Sequence, residues 1–93
     1  MTQNELLVFI QRIVESSSQT KSTYALKQLE EILRNQGADR EMITIITNAQ
    51  KGLPEVQQMA KVGELSKADI ETAVRRAEER RRREEAMRHQ GRS

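Results

Sequence analysis

Apolar residues recur along this chain at the three- and four-residue spacing of an α-helix, in five segments separated by polar or glycine-containing stretches. In the first segment the apolar stripe runs from Leu6 to Val14, with Phe9 at its edge. The second and fourth segments repeat the pattern, and their predicted core positions include Ile32 and Val62. The pattern therefore predicts helices over residues 4–15, 22–36, 40–51, 54–62 and 66–88.

Residues that favour helix ends support these boundaries. Thr2 or Asn4 is suited to cap the first helix, and Ser22 the second. The small polar run 16–20 between them predicts a loop. Gly37 follows the second helix, where a left-handed glycine commonly ends the helical hydrogen bonding.

The third segment is open to two interpretations. Its β-branched run, residues 43–47, would also suit a strand. A helix is favoured because Asp39 suits a cap, Gly52 suits a stop, and no second strand is predicted to pair with it. The apolar residues of this helix are Met42, Ile45, Ile46 and Ala49, and we expect this aliphatic helix to be the interface for any self-association.

The fifth helix changes character along its length. Ser66 and Asp69 have the spacing of a capping box, and the apolar stripe that follows ends at Ala77. The sequence thus predicts a body over 1–77 and a charged extension over 78–93. The expected fold class is all-α, a small bundle of four short helices plus a long, projecting, Arg/Glu-rich C-terminal helix.

Composition argues against chemistry at an active site. The 93 residues include no cysteine and one histidine, His89, near the chain end. The chain therefore has no thiolate nucleophile, and its single histidine near the chain end is a poor basis for a catalytic triad or a metal site. We therefore expect a non-enzymatic protein with no cofactor, no metal and no small-molecule substrate. The longest apolar run, Leu6 to Ile10, is too short to span a bilayer, and the basic helix has no apolar face beyond Ala77, so we expect no membrane contact. A chain without cysteine fits the reducing cytoplasm, where we expect this protein.

The net charge of +2 is unevenly distributed. Residues 1–65 carry a net charge of −1 and residues 66–93 a net charge of +3, with eight of the eleven arginines in the second part. Such a basic end suggests nucleic acid or an acidic protein surface as the partner. Six i,i+4 pairs of opposite charge are expected to stabilise this helix, namely Glu71–Arg75, Glu78–Arg82, Glu79–Arg83, Arg80–Glu84, Arg81–Glu85 and Glu84–Arg88.

At 100° per residue, Arg76, Arg80 and Arg83 fall in one narrow stripe that contains no glutamate. We call these three residues the arginine row. A guanidinium binds phosphate or carboxylate through paired hydrogen bonds, so the arginine row suits a DNA backbone or an acidic patch on a protein.

Ala60, Leu65, Ser66 and Ile70 have the spacing of a helix-turn-helix motif, while Gly63 stands one residue early. In these residues the chain resembles the bacterial helix-turn-helix regulators. The resemblance implies base contacts from the start of the fifth helix, at Lys67, Ala68, Glu71 and Thr72. It also implies backbone contacts from Arg75 and from the arginine row.

Two functions follow from these features. The first is a small adaptor or inhibitor that binds an acidic protein surface through the arginine row and an exposed helical face. The second is a helix-turn-helix-like regulator that binds duplex DNA through residues 54–83. Both suit a small accessory protein of the phage or plasmid type, and in either case homo-oligomerisation would add stability to so small a core. The expected binding residues are Lys67, Arg75, Arg76, Arg80 and Arg83. The protein-partner reading ranks first because glutamates neutralise most arginines and the base-reading positions are poor.

Overall fold

The computed structural model describes residues 1–90, with side chains as far as residue 88, and it contains helices without any strand over this range. The all-α prediction is therefore confirmed, including the helical assignment of the β-branched third segment. The helices are α1 (Gln3–Ser16), α2 (Gln19–Asn35), α3 (Arg40–Lys51), α4 (Glu55–Val62) and α5 (Lys67–Gln90).

Two of the predicted helix starts have the expected hydrogen bonds. The Thr2 hydroxyl accepts a hydrogen bond from the Glu5 N–H at 3.2 Å, and the Glu5 carboxylate accepts one from the Thr2 N–H at 3.0 Å. Ser66 and Asp69 form the same reciprocal pair at the start of α5, at 3.1 and 3.0 Å. Both capping boxes hold donors that the first turn of a helix leaves unpaired.

The predicted start of α2 is wrong. Ser18, not Ser22, caps the helix, and its hydroxyl accepts a hydrogen bond from the Lys21 N–H at 3.2 Å. The predicted loop over 16–20 shrinks to a short link, because exposed polar residues at Gln19 and Thr20 are as compatible with a first helical turn as with a loop. Ser22 is fully buried within the helix.

The connections that follow α2 and α3 are formed in different ways. Gly37 has a φ of 71°, the left-handed conformation predicted for it. Pro54 precedes the first residue of α4, one position earlier than predicted, and the Leu53–Pro54 peptide bond is cis. A Cβ on Gly52 would lie 3.0 Å from Val56 and 3.1 Å from Ala73, so glycine allows α3 to end close against α4 and α5.

One aliphatic core joins all five helices. α1 packs against α2, α3 and α4, and α5 packs against α3 and α4. Two predicted core residues face solvent instead, since Ile32 is 51% and Val62 is 89% exposed. The buried apolar residues are Leu6, Ile10, Val14, Leu26, Leu29, Leu33, Met42, Ile45, Ile46, Ala49, Leu53, Val56, Ala60, Leu65, Ile70, Ala73 and Ala77.

The aliphatic residues of α3 belong to this core. Met42, Ile45, Ile46 and Ala49 are all buried within their own chain. The apolar face that motivated α3 as a candidate interface is therefore covered by the chain's own helices, and self-association through α3 stays a prediction.

A buried glutamine ties α4 to the first two helices. The Gln57 side-chain amide donates to the carbonyl oxygens of Val14 and Ser17 at 3.2 and 2.8 Å, and it lies 3.3 Å from the Ser22 hydroxyl. These carbonyls lie at the end of α1, where the helix provides no partner for them. Gln57 thus closes α1 from a position 40 residues away in sequence.

α5 extends beyond the core. Ala77 is the last buried residue of the helix, and residues 81–88 are all exposed. The principal extents of 51 × 28 × 23 Å reflect this arm, since a 24-residue helix is about 36 Å long.

Candidate partner-binding groove

The arginine row lines one wall of a groove between α4 and α5. Arg76, Arg80 and Arg83 border a depression of about 530 Å³, whose other lining residues are Glu55 and Gln58 of α4 and Glu79, Glu84 and Met87 of α5. The structure thus brings these three predicted residues to one surface and adds α4 as the opposite wall. No sequence signal indicated that α4 would face them.

The other two predicted binding residues lie elsewhere. The Lys67 ammonium donates to a Glu41 carboxylate oxygen at 2.7 Å, which places Lys67 on the flank facing α3. This hydrogen bond lowers the pKa of Glu41. Arg75 is exposed and lies 3.2 Å from the Thr72 hydroxyl, to which it donates. Neither residue borders the groove.

Arg80 is engaged within the molecule. Its guanidinium donates to the Glu55 carboxylate at 2.8 Å, and it also contacts Glu84 at 3.3 Å and the Leu53 carbonyl at 3.5 Å. The stripe itself contains no glutamate, but Glu84 of α5 and Glu55 of α4 both reach Arg80. Arg80 therefore holds α4 and α5 together more than it offers a free charge to a partner.

The charge state of Glu55 reflects this ion pair. Its side chain is only 13% exposed, and burial alone would raise its pKa. The hydrogen bonds from Arg80 and from the backbone, with the nearby positive charges, outweigh burial and hold the pKa of Glu55 below its usual 4.5. Glu55 therefore stays ionised, and the pair persists, at neutral pH.

Arg81 makes a second attachment to the body. Its guanidinium donates to the Lys51 carbonyl at 3.0 Å, at the end of α3. The helix end leaves this carbonyl unpaired, and a cation is favourable there. The anchored part of α5 thus extends four residues beyond Ala77, the last buried position.

Exposed apolar side chains accompany the cations in the groove. A second depression, of about 450 Å³, adjoins the first through Glu55, Gln58 and Arg76. It is lined by Met59 and Val62 and also by the carboxylates Glu64 and Asp69. Val62 is 89% exposed and Met87, at the far end, is 70% exposed. The groove is therefore amphipathic along its length.

Two arginines of the groove keep charge available for a partner. Arg76 is exposed and makes no ion pair within the described residues. Arg83 is 76% exposed and makes one long contact, 3.8 Å to Glu79. An exposed i,i+4 pair of this length contributes little, so a partner carboxylate competes with it easily.

Gln11 of α1 fixes the turn that forms one end of the groove. Its side-chain amide donates to the Gly63 carbonyl at 3.0 Å, and its side-chain oxygen accepts from the Leu65 N–H at 3.0 Å. Sequence reasoning missed this contact, because an isolated glutamine at the edge of an apolar stripe has no characteristic motif.

The predicted ion-pair ladder is only partly present. Arg80–Glu84 and Glu79–Arg83 lie within ion-pair distance, at 3.3 and 3.8 Å. The other four predicted pairs do not. Side chains of opposite charge at this spacing are free to remain solvated, since each exposed pair stabilises the helix by only about 0.2–0.5 kcal/mol.

Within the described residues, no three His, Asp or Glu side chains group as they would around a metal ion. His89 lies outside the described side chains. None of the described helices combines the length and apolar character needed to cross a bilayer. Comparison with protein-family models, with curated proteins and with solved structures gave no match.

Proposed function

We propose that the protein is a non-enzymatic adaptor or inhibitor, and that it binds an acidic, amphipathic segment of a partner protein in the groove between α4 and α5. The observation that carries this proposal is the juxtaposition of exposed apolar and cationic side chains in that groove. Val62 and Met87 are exposed at its two ends, and Arg76 and Arg83 lie between them.

The groove's chemistry defines the partner. Apolar side chains at helical spacing would cover Met59, Val62 and Met87, removing their surface from water. Carboxylates on the same segment would then meet Arg76 and Arg83, each of which can donate hydrogen bonds to both oxygens of a carboxylate in planar geometry. Arg80 is less available because Glu55 already holds it.

A randomised peptide display library tests the proposal, with the immobilised protein as bait. We expect enriched sequences to combine Asp or Glu with Leu, Ile or Met at helical spacing. A synthetic copy of an enriched peptide should lose about tenfold or more in affinity against Arg76→Glu/Arg83→Glu, measured by fluorescence anisotropy.

The matched control is Arg75→Glu/Arg82→Glu, which makes the same charge change on exposed positions of α5 away from the groove. This variant should change the affinity less than about twofold. If both variants lost the same affinity, the loss would be explained by the change in net charge, and a site in the groove would be contradicted. Enrichment of peptides without acidic residues would contradict the stated partner chemistry.

Duplex DNA is the second candidate, and the packing of α4 on α5 favours it. Ala60, Leu65 and Ile70 are buried and α4 packs against α5, which agrees with what the helix-turn-helix resemblance implies. It ranks second because Lys67, at the start of the base-reading helix, pairs with Glu41. Salt-sensitive retardation of a mixed-sequence duplex that is lost in both double variants would favour DNA over the groove proposal.

A further inference from the structure

A second apolar surface lies on the outward side of α1. Met1, Val8 and Phe9 are 57%, 51% and 47% exposed, whereas Leu6, Ile10 and Val14 on the inward side are fully buried. The outward residues are contiguous. Around one shallow depression lie Met1, Asn4, Glu5, Val8, Phe9 and Arg12.

The spacing of these residues suits a second helix. Glu5, Val8, Arg12 and Glu15 alternate steps of three and four along α1, and Met1 precedes the helix. That alternation places the four residues in one narrow stripe that a second helix can lie along. None of these residues lines the groove between α4 and α5.

The charges on this face are complementary to those on a copy of the same face. A two-fold axis between Val8 and Phe9, perpendicular to α1, would place a second α1 antiparallel to the first. A residue of one copy that precedes the axis then lies opposite the residue of the other copy that follows the axis by the same number of positions. Val8 would contact Phe9 of the second copy, and Glu5 would lie level with Arg12 of the second copy, twice by symmetry.

Both charged groups are available for this contact. Arg12 makes no ion pair within the described residues. One Glu5 oxygen accepts the Thr2 N–H at 3.0 Å, which leaves the other oxygen free to accept a guanidinium hydrogen bond. That same capping interaction lowers the pKa of Glu5, so the carboxylate is charged at neutral pH.

We propose that two copies of this chain form an antiparallel, two-fold dimer through the outward faces of their α1 helices. Val8 and Phe9 form the apolar centre, and two Glu5–Arg12 pairs flank it. Apolar burial supplies the affinity, and the charge pairs fix the antiparallel register, because a parallel arrangement would align like charges.

Sedimentation velocity over a range of concentrations tests the dimer. We expect the wild-type chain to show a reversible monomer–dimer equilibrium. Arg12→Glu should weaken the dimer by about tenfold or more, because it opposes Glu5 with a glutamate in both copies. Lys21→Glu makes the same charge change on an exposed residue of α2 and should leave the equilibrium within about twofold.

A mixing experiment tests the register. Glu5→Arg and Arg12→Glu should each be monomeric alone, since each opposes like charges. When mixed they should form a heterodimer, because both flanking pairs then carry opposite charges. Circular dichroism of each variant checks that it is folded, since Glu5→Arg also removes a capping interaction.

A wild-type chain that stays monomeric at high concentration would overturn the proposal. So would a dimer unaffected by Arg12→Glu, or a mixture of the two variants that remains monomeric. Loss of the dimer in Arg76→Glu/Arg83→Glu but not in Arg12→Glu would place the interface at the groove instead.

Discussion

At the scale of single residues, two glutamines connect parts of the chain that are distant in sequence. Gln57 closes the end of α1, and Gln11 holds the turn between α4 and α5. A glutamine amide carries donors and an acceptor on one flexible stem, so it satisfies backbone groups of two different elements. No buried side-chain polar atom among the described residues lacks a hydrogen-bond partner.

Replacing Gln57 with leucine should destabilise the fold. The carbonyls of Val14 and Ser17 would lose their donor, and an unsatisfied buried group costs about 1–3 kcal/mol. Urea denaturation followed by far-ultraviolet circular dichroism measures the free energy of unfolding. Gln58→Leu is the control, because Gln58 is the exposed neighbour of Gln57 and should change stability by less than about 0.5 kcal/mol. Equal effects at both positions would contradict the role of Gln57.

Local residue chemistry was predictable and distant contacts were not. Thr2, Gly37 and the Ser66–Asp69 pair have the predicted capping roles, because those roles depend on neighbours within three or four residues. Ser22 was assigned as a cap from residue type alone, but it contacts Gln57, 35 residues away. A single sequence holds no local trace of that pairing.

At the scale of elements, α5 divides into an anchored part and a free part. Arg80 binds the Glu55 carboxylate, and Arg81 binds the Lys51 carbonyl. Beyond these two residues, the side chains as far as residue 88 are exposed. Helical periodicity identified where the apolar stripe ends, at Ala77. It could not show that α4 contributes Glu55 to the arginine row, because that pairing depends on how two helices pack.

Deleting residues 84–93 should leave the thermal midpoint within about 2 °C of the full-length value, because exposed residues contribute little to stability. The mean helical signal should fall, since the described part of this segment is helical. Deleting residues 78–93 should instead lower the midpoint by several degrees, because Arg80 and Arg81 are lost. Thermal unfolding by circular dichroism measures both. A large drop in the shorter deletion would show that the free part packs on the body.

The periodic pattern also marked Ile32 and Val62 as core residues, and both are exposed. Each lies at the edge of its stripe, where the arrangement of neighbouring helices decides whether a side chain is covered. For Val62 that exposure is part of the candidate groove. The groove therefore could not be recognised from the sequence, although the arginine row that borders it could.

At the scale of the whole molecule, two partly buried carboxylates couple the fold to pH. Hydrogen bonds from Gln50 and, to a smaller extent, from Arg34 lower the pKa of Glu30. The bond from Gln50 joins α3 to α2. The pKa of Glu55 is also lowered, and its ion pair joins α4 to α5. Carboxylates with lowered pKa values in the folded state stabilise it wherever they are ionised.

Stability should therefore be constant from neutral pH down to about pH 5 and should fall below that. The sign follows from the lowered pKa values: the unfolded chain takes up protons near 4.5, before the folded chain does. Glu55→Gln should lower the thermal midpoint at pH 7, and its difference from wild type should shrink as the pH falls. Glu31→Gln, at an exposed neighbour of Glu30, is the control. The difference between its thermal midpoint and that of wild type should not change with pH. A difference for Glu55→Gln that is independent of pH would contradict the ion pair's role.

The interior of this molecule contains no phenylalanine, tyrosine or tryptophan ring. Phe9 is 47% and Tyr24 is 65% exposed, and the chain has no tryptophan. Ring currents are what spread methyl resonances in most folded domains, so the buried leucine and isoleucine methyls of this protein will resonate close together even when each occupies a fixed rotamer. Narrow dispersion in its proton spectrum is thus the signature of an aliphatic interior and carries no implication of a fluid one.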